Sequence, residues 1–160
     1  MDPKVKKTAL RMITSGLYLL TVAHDNRFNA STISWLSQAS FDPPLVMLGV
    51  KADTLTHAMV ESSGQFAINL LSRGQNDLAQ TFFRQADYEN GKLNGYAFDT
   101  GSRTGAPIFQ DVPAWFECEM VEMVKGGDHS VVVARVIEAG VRNPDAEPMA
   151  LRDTPWQYGG

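Results

Sequence analysis

One cysteine, Cys118, occurs in 160 residues, so the chain has neither an internal disulfide nor a multi-cysteine metal site. Three histidines, His24, His57 and His129, stand far apart, and no H-E-x-x-H pattern joins any of them, so no metal centre is expected. A lone thiol fits a reducing compartment, and a cytoplasmic location is expected. Apolar runs are short. The stretch 17–23 is strand length, far below the roughly 18 uninterrupted apolar residues of a membrane span, so no membrane partner is expected. Basic residues are outnumbered, 14 Lys and Arg against 18 Asp and Glu, for a net charge of −4. A nucleic-acid binder needs a basic face to neutralise phosphates, so that class is set aside. Neither G-x-G-x-x-G, G-x-x-x-x-G-K-[ST] nor G-x-S-x-G occurs, which removes the dinucleotide crossover, the phosphate loop and the serine-hydrolase elbow.

What is present is the composition of a globular domain, 44% hydrophobic and 20% charged. Val5, Ala9, Met12 and Ile13 share one face of a helix over 4–14. Strand patterns follow over 17–24 and 28–35, separated by a polar turn, and again from Leu45, because Pro43 and Pro44 have no N–H to give a ladder. Asp53 or Thr54 caps a helix carrying Leu55, Ala58 and Met59, which Gly64 closes. In 65–71, Phe66, Ile68 and Leu70 alternate with Gln65, Ala67 and Asn69, as in a half-buried strand, with Asn69 facing a ligand pocket or, in the commoner case, water. A second helix over 76–85 turns Leu78, Ala79, Phe82 and Phe83 inward. The polar, glycine-rich stretch 86–106 is about twenty residues, long for a compact connection, so it hides short structure or is functional. Strands return over 115–124, with Phe116, Cys118 and Met120 on the apolar side against Glu117 and Glu119. A β-branched strand follows from His129, then a short strand near 149–151. Helices interrupt blocks of strands without a regular βαβ beat. The expectation is a mainly β, antiparallel barrel with a few flanking helices, one domain over 1–160.

The informative segment is 29–44, NASTISWLSQASFDPP. In a strand, Ala30, Thr32 and Ser34 point one way and Asn29, Ser31, Ile33 and Trp35 the other. With Ser37, Ser40, Phe41 and two prolines it forms a hydroxyl-rich ledge beside a rigid turn. Such a ledge suits a planar polar ligand that takes many neutral hydrogen bonds, or it simply solvates the outside of a barrel.

This segment resembles the signature of the flavin reductase-like, FMN-binding split-barrel family, in which N-A-x-T-x-S-W-x-S-x-x-S-x-x-P-P precedes a strand. The similarity continues in KADTLTH (51–57), FAINLL (66–71), GAPIFQD (105–111), FECE (116–119) and GGDH (126–129), in order, over nearly the whole chain. The resemblance implies a split β-barrel and a bound FMN, with FAD possible. It places Asn29, Ala30, Thr32, Ser34, Trp35, Ser40 and Phe41 along the flavin ring and ribityl chain, although Trp35 read alone is equally a core tryptophan. Lys51, Thr54, Thr56 and His57 lie at a helix start, where free N–H groups favour an anion, and the resemblance assigns the FMN phosphate there, with Asp53 turned away. Lys92 is a second phosphate ligand by the same resemblance. His129 is implied to meet the nicotinamide nucleotide, while a turn histidine paired with Asp128 is the plainer reading. Cys118 is expected to be buried and inert.

The implied activity is NAD(P)H-dependent flavin reduction, with hydride passing from nicotinamide C4 to flavin N5 and electrons passing on to free flavin or another acceptor. Cofactor chemistry of this kind asks the protein for orientation, not for a side-chain nucleophile. An electron carrier that keeps FMN and is reduced by a redox partner protein needs the same site and stays open. A homodimer is also implied, with 86–106 and the aromatic stretch at Trp156 and Tyr158 as the places for cross-subunit contact.

Overall fold

The computed structural model describes residues 1–160. Helix α1 (Pro3–Arg11) starts where the Asp2 carboxylate accepts from the N–H groups of Lys4 and Val5. Strands β1 (Tyr18–His24) and β2 (Arg27–Ile33) form a hairpin. Its two-residue turn puts Asp25 and Asn26 at φ of 49° and 58°, the primed geometry that matches strand twist. Strands β3 (Leu36–Ser40) and β4 (Leu45–Lys51) pair across the Pro43-Pro44 turn. Thr54 caps α2 (Leu55–Ser63), and Gly64 ends it in the left-handed conformation at φ 66°. Then come β5 (Gln65–Leu70), α3 (Asn76–Thr81), the short strands β6 (Tyr88–Glu89), β7 (Lys92–Leu93), β8 (Tyr96–Thr100) and β9 (Pro107–Phe109), and the long hairpin β10 (Ala114–Lys125) and β11 (His129–Val141).

All strand pairings are antiparallel, in a seven-stranded sheet of order β2-β1-β5-β10-β11-β4-β3 and a four-stranded sheet β6-β7-β8-β9. The large sheet cannot be flat. Its edge strands β2 and β3 are separated by only Ser34 and Trp35, a reach of at most about 11 Å. A flat sheet would hold its edges about 29 Å apart at the usual strand spacing. The sheet is therefore rolled until its edges approach at Ser34-Trp35, and no ladder joins them. Register shifts in β10 at Glu117/Cys118 and Met120/Glu122 supply the bend.

Two cores follow from this roll. Leu20, Val22, Leu48, Phe66, Ile68 and Val132 fill the inside beneath α2. Leu17, Leu19, Leu78, Phe82, Leu93 and Phe109 fill the space between β1, α3 and the small sheet. Strands β1 and β5 are thus buried on both faces, which the half-buried pattern does not anticipate. Asn69 is the clearest correction: it is fully buried. Its amide donates to Thr21 Oγ1 (3.2 Å) and the Pro107 carbonyl (3.1 Å), and its Oδ1 accepts from the Phe109 N–H (2.8 Å). It ties β5 to β1 and β9.

Glu117 is likewise buried, although alternation puts it on the polar side of β10. One carboxylate oxygen accepts from Arg103 N (3.1 Å), Thr104 N (2.7 Å) and Thr104 Oγ1 (2.7 Å), so the side chain organises the turn between β8 and β9.

Three other segments differ from expectation. Helix α1 is shorter than 4–14 and buries nothing; Met12 and Ile13 are exposed. Helix α3 stops at Thr81, because Thr32 of β2 takes its last carbonyls: Thr32 Oγ1 donates to Ala79 O (2.6 Å) and Thr32 N to Phe82 O (3.2 Å). The expected strand near 149–151 is an isolated bridge, Gly16 with Ala150, followed by a 3₁₀ turn.

Cys118 lies in the inner core, and burial pushes its thiol up to about 12. A thiol-alkylating reagent in mildly alkaline buffer is expected to leave the folded protein unlabelled and to label it fully in denaturant. Stoichiometric labelling of the folded protein, read by mass spectrometry, would show the core to be open.

Candidate functional site

A pocket of about 470 Å³ opens where the rolled sheet's edges meet. One wall is the end of β2 and the link to β3: Ser31, Thr32, Ser34 and Trp35. Because β2 is an edge strand and stops at Ile33, residues from both of its faces reach the pocket. Lys51 at the end of β4, Thr54 and Thr56 at the start of α2, and His129 at the start of β11 complete the polar side. They come together through register: His129 pairs with Lys51 across β11 and β4. Phe83, Trp156 and Tyr158 also line the pocket, with Tyr158 beside Trp35 and His129.

The polar end is arranged for an anion. Thr54 Oγ1 accepts from His57 N (3.2 Å), and Thr54 and Thr56 line the cavity at the start of α2, where a helix's first N–H groups favour an anion. Thr56 is held from behind, with its hydroxyl receiving the Asn29 amide (2.8 Å) and hydrogen-bonded to Ser31 Oγ. Lys51 reaches the pocket, and its partner Asp53, 3.4 Å away, lies outside the lining.

The aromatic end is a cluster of three rings. Trp35 lies 4.6 Å from the His129 ring and 5.3 Å from Tyr158, centroid to centroid. Gly49 makes room for it, since a Cβ there would sit 2.9 Å from Trp35 Cε3. His129 Nδ1 is 2.9 Å from Asp128 Oδ1, and its Nε2 is 2.7 Å from the Tyr158 hydroxyl. The hydrogen bond from His129 holds the Asp128 carboxyl below its ordinary value, and burial raises the Tyr158 phenol.

Ser34 is buried, faces this cavity, and its hydroxyl has no partner in the protein. A buried hydroxyl left unpaired costs free energy, and this one is closed to solvent directly behind the pocket wall.

Of the residues singled out in the sequence, Thr32, Ser34, Trp35, Lys51, Thr54, Thr56 and His129 line one pocket. Asn29 and Ala30 are buried behind it, and Asn29 spends its amide on Thr56. His57 is also buried, with Nε2 2.8 Å from Ser130 Oγ. Ser40 and the fully exposed Phe41 lie at the β3 to β4 turn, and Lys92 is exposed on β7; none of these three lines the pocket. Phe83, grouped with Phe82 as core, is half exposed and lines the site instead. Its ring packs edge-on against Trp156 at 4.8 Å, because α3 ends before it. Ser31 and Gly49 carry no signal of their own in the sequence.

This geometry has known counterparts. The family model described as "Flavin reductase like domain" matches residues 10–157. A "Probable flavin reductase" of Rhizobium meliloti (strain 1021) is 31% identical over 136 residues, 84% of this chain. The chain spans 42% of that relative's length. The solved structure of the Streptomyces globisporus C-1027 NADH:FAD oxidoreductase SgcE6 in complex with NAD and FAD fragments superposes with a TM-score of 0.80 at 27% identity, covering 94% of this chain and 90% of that one. The styrene monooxygenase flavin reductase (SMOB) from Pseudomonas putida S12 superposes at 0.73, also 27% identical, over 88% and 87% of the two chains. Rolled antiparallel sheet, edge-strand pocket and a family match running from α1 to the aromatic closure agree with one another: the chain belongs to the flavin reductase like domain family.

Proposed function

We propose that this chain is an NAD(P)H-dependent flavin reductase, one flavin-binding domain over 1–160, whose cofactor is FMN or, with the same ring contacts, FAD. The observation that carries the reading is one pocket that brings the end of β2, Lys51 and the first turn of α2 together with the rings of Trp35, His129 and Tyr158. These residues fit a flavin. The end of β2 and its link to β3 would meet a ring that donates and accepts, while Lys51, Thr56 and the start of α2 would meet a phosphate. When bound, a flavin supplies the ring system that accepts a hydride. The chain's own work is positional: Trp35 and Phe83 wall the pocket, Thr56 is fixed by Asn29 and Ser31, and His129 stands where a nicotinamide carboxamide or phosphate would be recognised. The solved relative is a complex with NAD and FAD fragments, which supports a chain that takes a nicotinamide nucleotide as well as a flavin.

In this reading the rolled sheet is a split barrel, and the protein is a homodimer. Support for pairing comes from Met47, Val124 and Val131, exposed apolar side chains on neighbouring strands β4, β10 and β11. The acceptor is free flavin or an oxygenase partner, the latter by analogy with the styrene monooxygenase component. The location is cytoplasmic, where the buried Cys118 thiol stays reduced. No helix is long and apolar enough to cross a membrane.

Flavin binding tests the site directly. FMN fluorescence is expected to be quenched on titration with the protein. Thr56→Ala and Lys51→Ala are each expected to weaken binding about tenfold, the worth of a charge-assisted phosphate contact. No quenching by the unaltered protein would sink the reading, and unaltered affinity in both variants would move the phosphate elsewhere.

A further inference from the structure

Both ring nitrogens of His129 are already occupied. Asp128, a carboxylate, only accepts, so in the neutral imidazole Nδ1 carries the proton. Nε2 is then the acceptor, and the Tyr158 hydroxyl donates to it at 2.7 Å. No position on the imidazole is left for a nucleotide while Tyr158 stays.

Tyr158 belongs to a strap, residues 156–159. Arg11 pins the strap from α1: its Nε donates to Gly159 O (3.0 Å) and its Nη1 to Gln157 Oε1 (2.6 Å). A second cavity, of about 700 Å³, lies on the far side, between the strap and the segment 11–16. Trp156, Gln157 and Tyr158 line both cavities. The strap is therefore a wall one chain thick, with open volume on each face.

We propose that Tyr158 sets the affinity for the nicotinamide nucleotide by competing for His129 Nε2, and that nucleotide entry turns the strap outward into the second cavity. The inference rests on the reading of His129 as the nucleotide's contact. Tyr158 acts through another residue and is a positioning residue. Because the Tyr158 to His129 bond is broken on entry, its net worth is subtracted from nucleotide binding.

The experiment is calorimetric titration of the flavin-loaded protein with oxidised nucleotide, NAD⁺ and NADP⁺ in turn, alongside steady-state KM and kcat. Tyr158→Phe keeps the ring against Trp35 and removes only the hydroxyl. It is expected to tighten Kd and lower KM about fivefold, with kcat changing less than KM. Arg11→Ala, which releases the strap and removes a side chain from the second cavity but none from the first, is expected to act in the same direction. In a His129→Ala background, Tyr158→Phe is expected to have no further effect on Kd. An unchanged or weakened Kd in Tyr158→Phe would overturn the inference, and so would a tightening that persists without His129. If His129→Ala alone changed neither kcat nor Kd, the role of His129 itself would fall, a result separate from either outcome for Tyr158.

Discussion

His129→Ala is expected to lower kcat/KM for NADH or NADPH oxidation about fiftyfold, with most of the loss in kcat. The ring stands at the first residue of β11, between Trp35 and Asp128, on the wall where the nicotinamide would lie. Hydride transfer depends steeply on donor and acceptor placement, and a misplacement of about 1 Å is enough for a loss of this order. KM moves less than kcat because truncation removes two bonds of opposite effect: the one that the nucleotide makes to the imidazole, and the Tyr158 hydrogen bond that it must displace. Flavin Kd is expected to change less than kcat, since the phosphate end at Lys51 and Thr56 is untouched. Stopped-flow reduction rates separate the two. A reduction rate equal to that of the unaltered protein would remove His129 from the chemistry.

The second large effect concerns stability. Glu117→Ala is expected to cost about 4 kcal/mol, because it strips the acceptor from two backbone N–H groups and the Thr104 hydroxyl in a closed environment. For a domain of this size that is a fall in Tm of about 10 °C. Gly101 allows the approach: a Cβ there would collide with the Glu117 carboxylate. Glu117→Gln can put its amide oxygen where all three donors converge and loses only the charge, so it is expected to cost about half as much. Calorimetric melting of both variants measures this directly, and a Tm within a degree or two of the unaltered protein for Glu117→Ala would show that the turn at 102–104 is held by something else. The pocket at the rolled sheet's edges is built from other segments, so flavin affinity at low temperature is expected to survive the change.

These two residues also show what a single sequence can and cannot reveal. His129 is legible because GGDH is a turn-to-strand junction inside an ordered series of motifs, and the register of β11 on β4 delivers it beside Lys51. Thr54 and Thr56 are legible for a local reason, the cap and first turn of α2. Glu117 is not, because alternation along β10 assigns faces but is silent about a second sheet packed on the outer one; the same blindness puts Asn69 in water. Phe83 is misplaced by periodicity because the end of α3 is fixed by Thr32, about fifty residues away in sequence, and a helical repeat carries no such information. The stretch 86–106 holds a readable signal. Asn90-Gly91 and Asn94-Gly95 are the dipeptides of two-residue hairpin turns, and all four residues adopt positive φ, between β6 and β7 and between β7 and β8. Tyr158 stands out in the sequence only as an aromatic in need of a partner; that the partner is His129 depends on the path of the strap over α1.

The central claim is that the pocket at the rolled sheet's edges lets a nicotinamide nucleotide reduce a bound flavin. Anaerobic mixing of the flavin-loaded protein with NADH, and separately with NADPH, followed in the visible flavin band, tests it most directly. Bleaching by at least one nucleotide, slowed in His129→Ala, is the predicted result. A protein that binds no flavin, or one that keeps its colour with both nucleotides as a carrier reduced by a protein partner would, contradicts it.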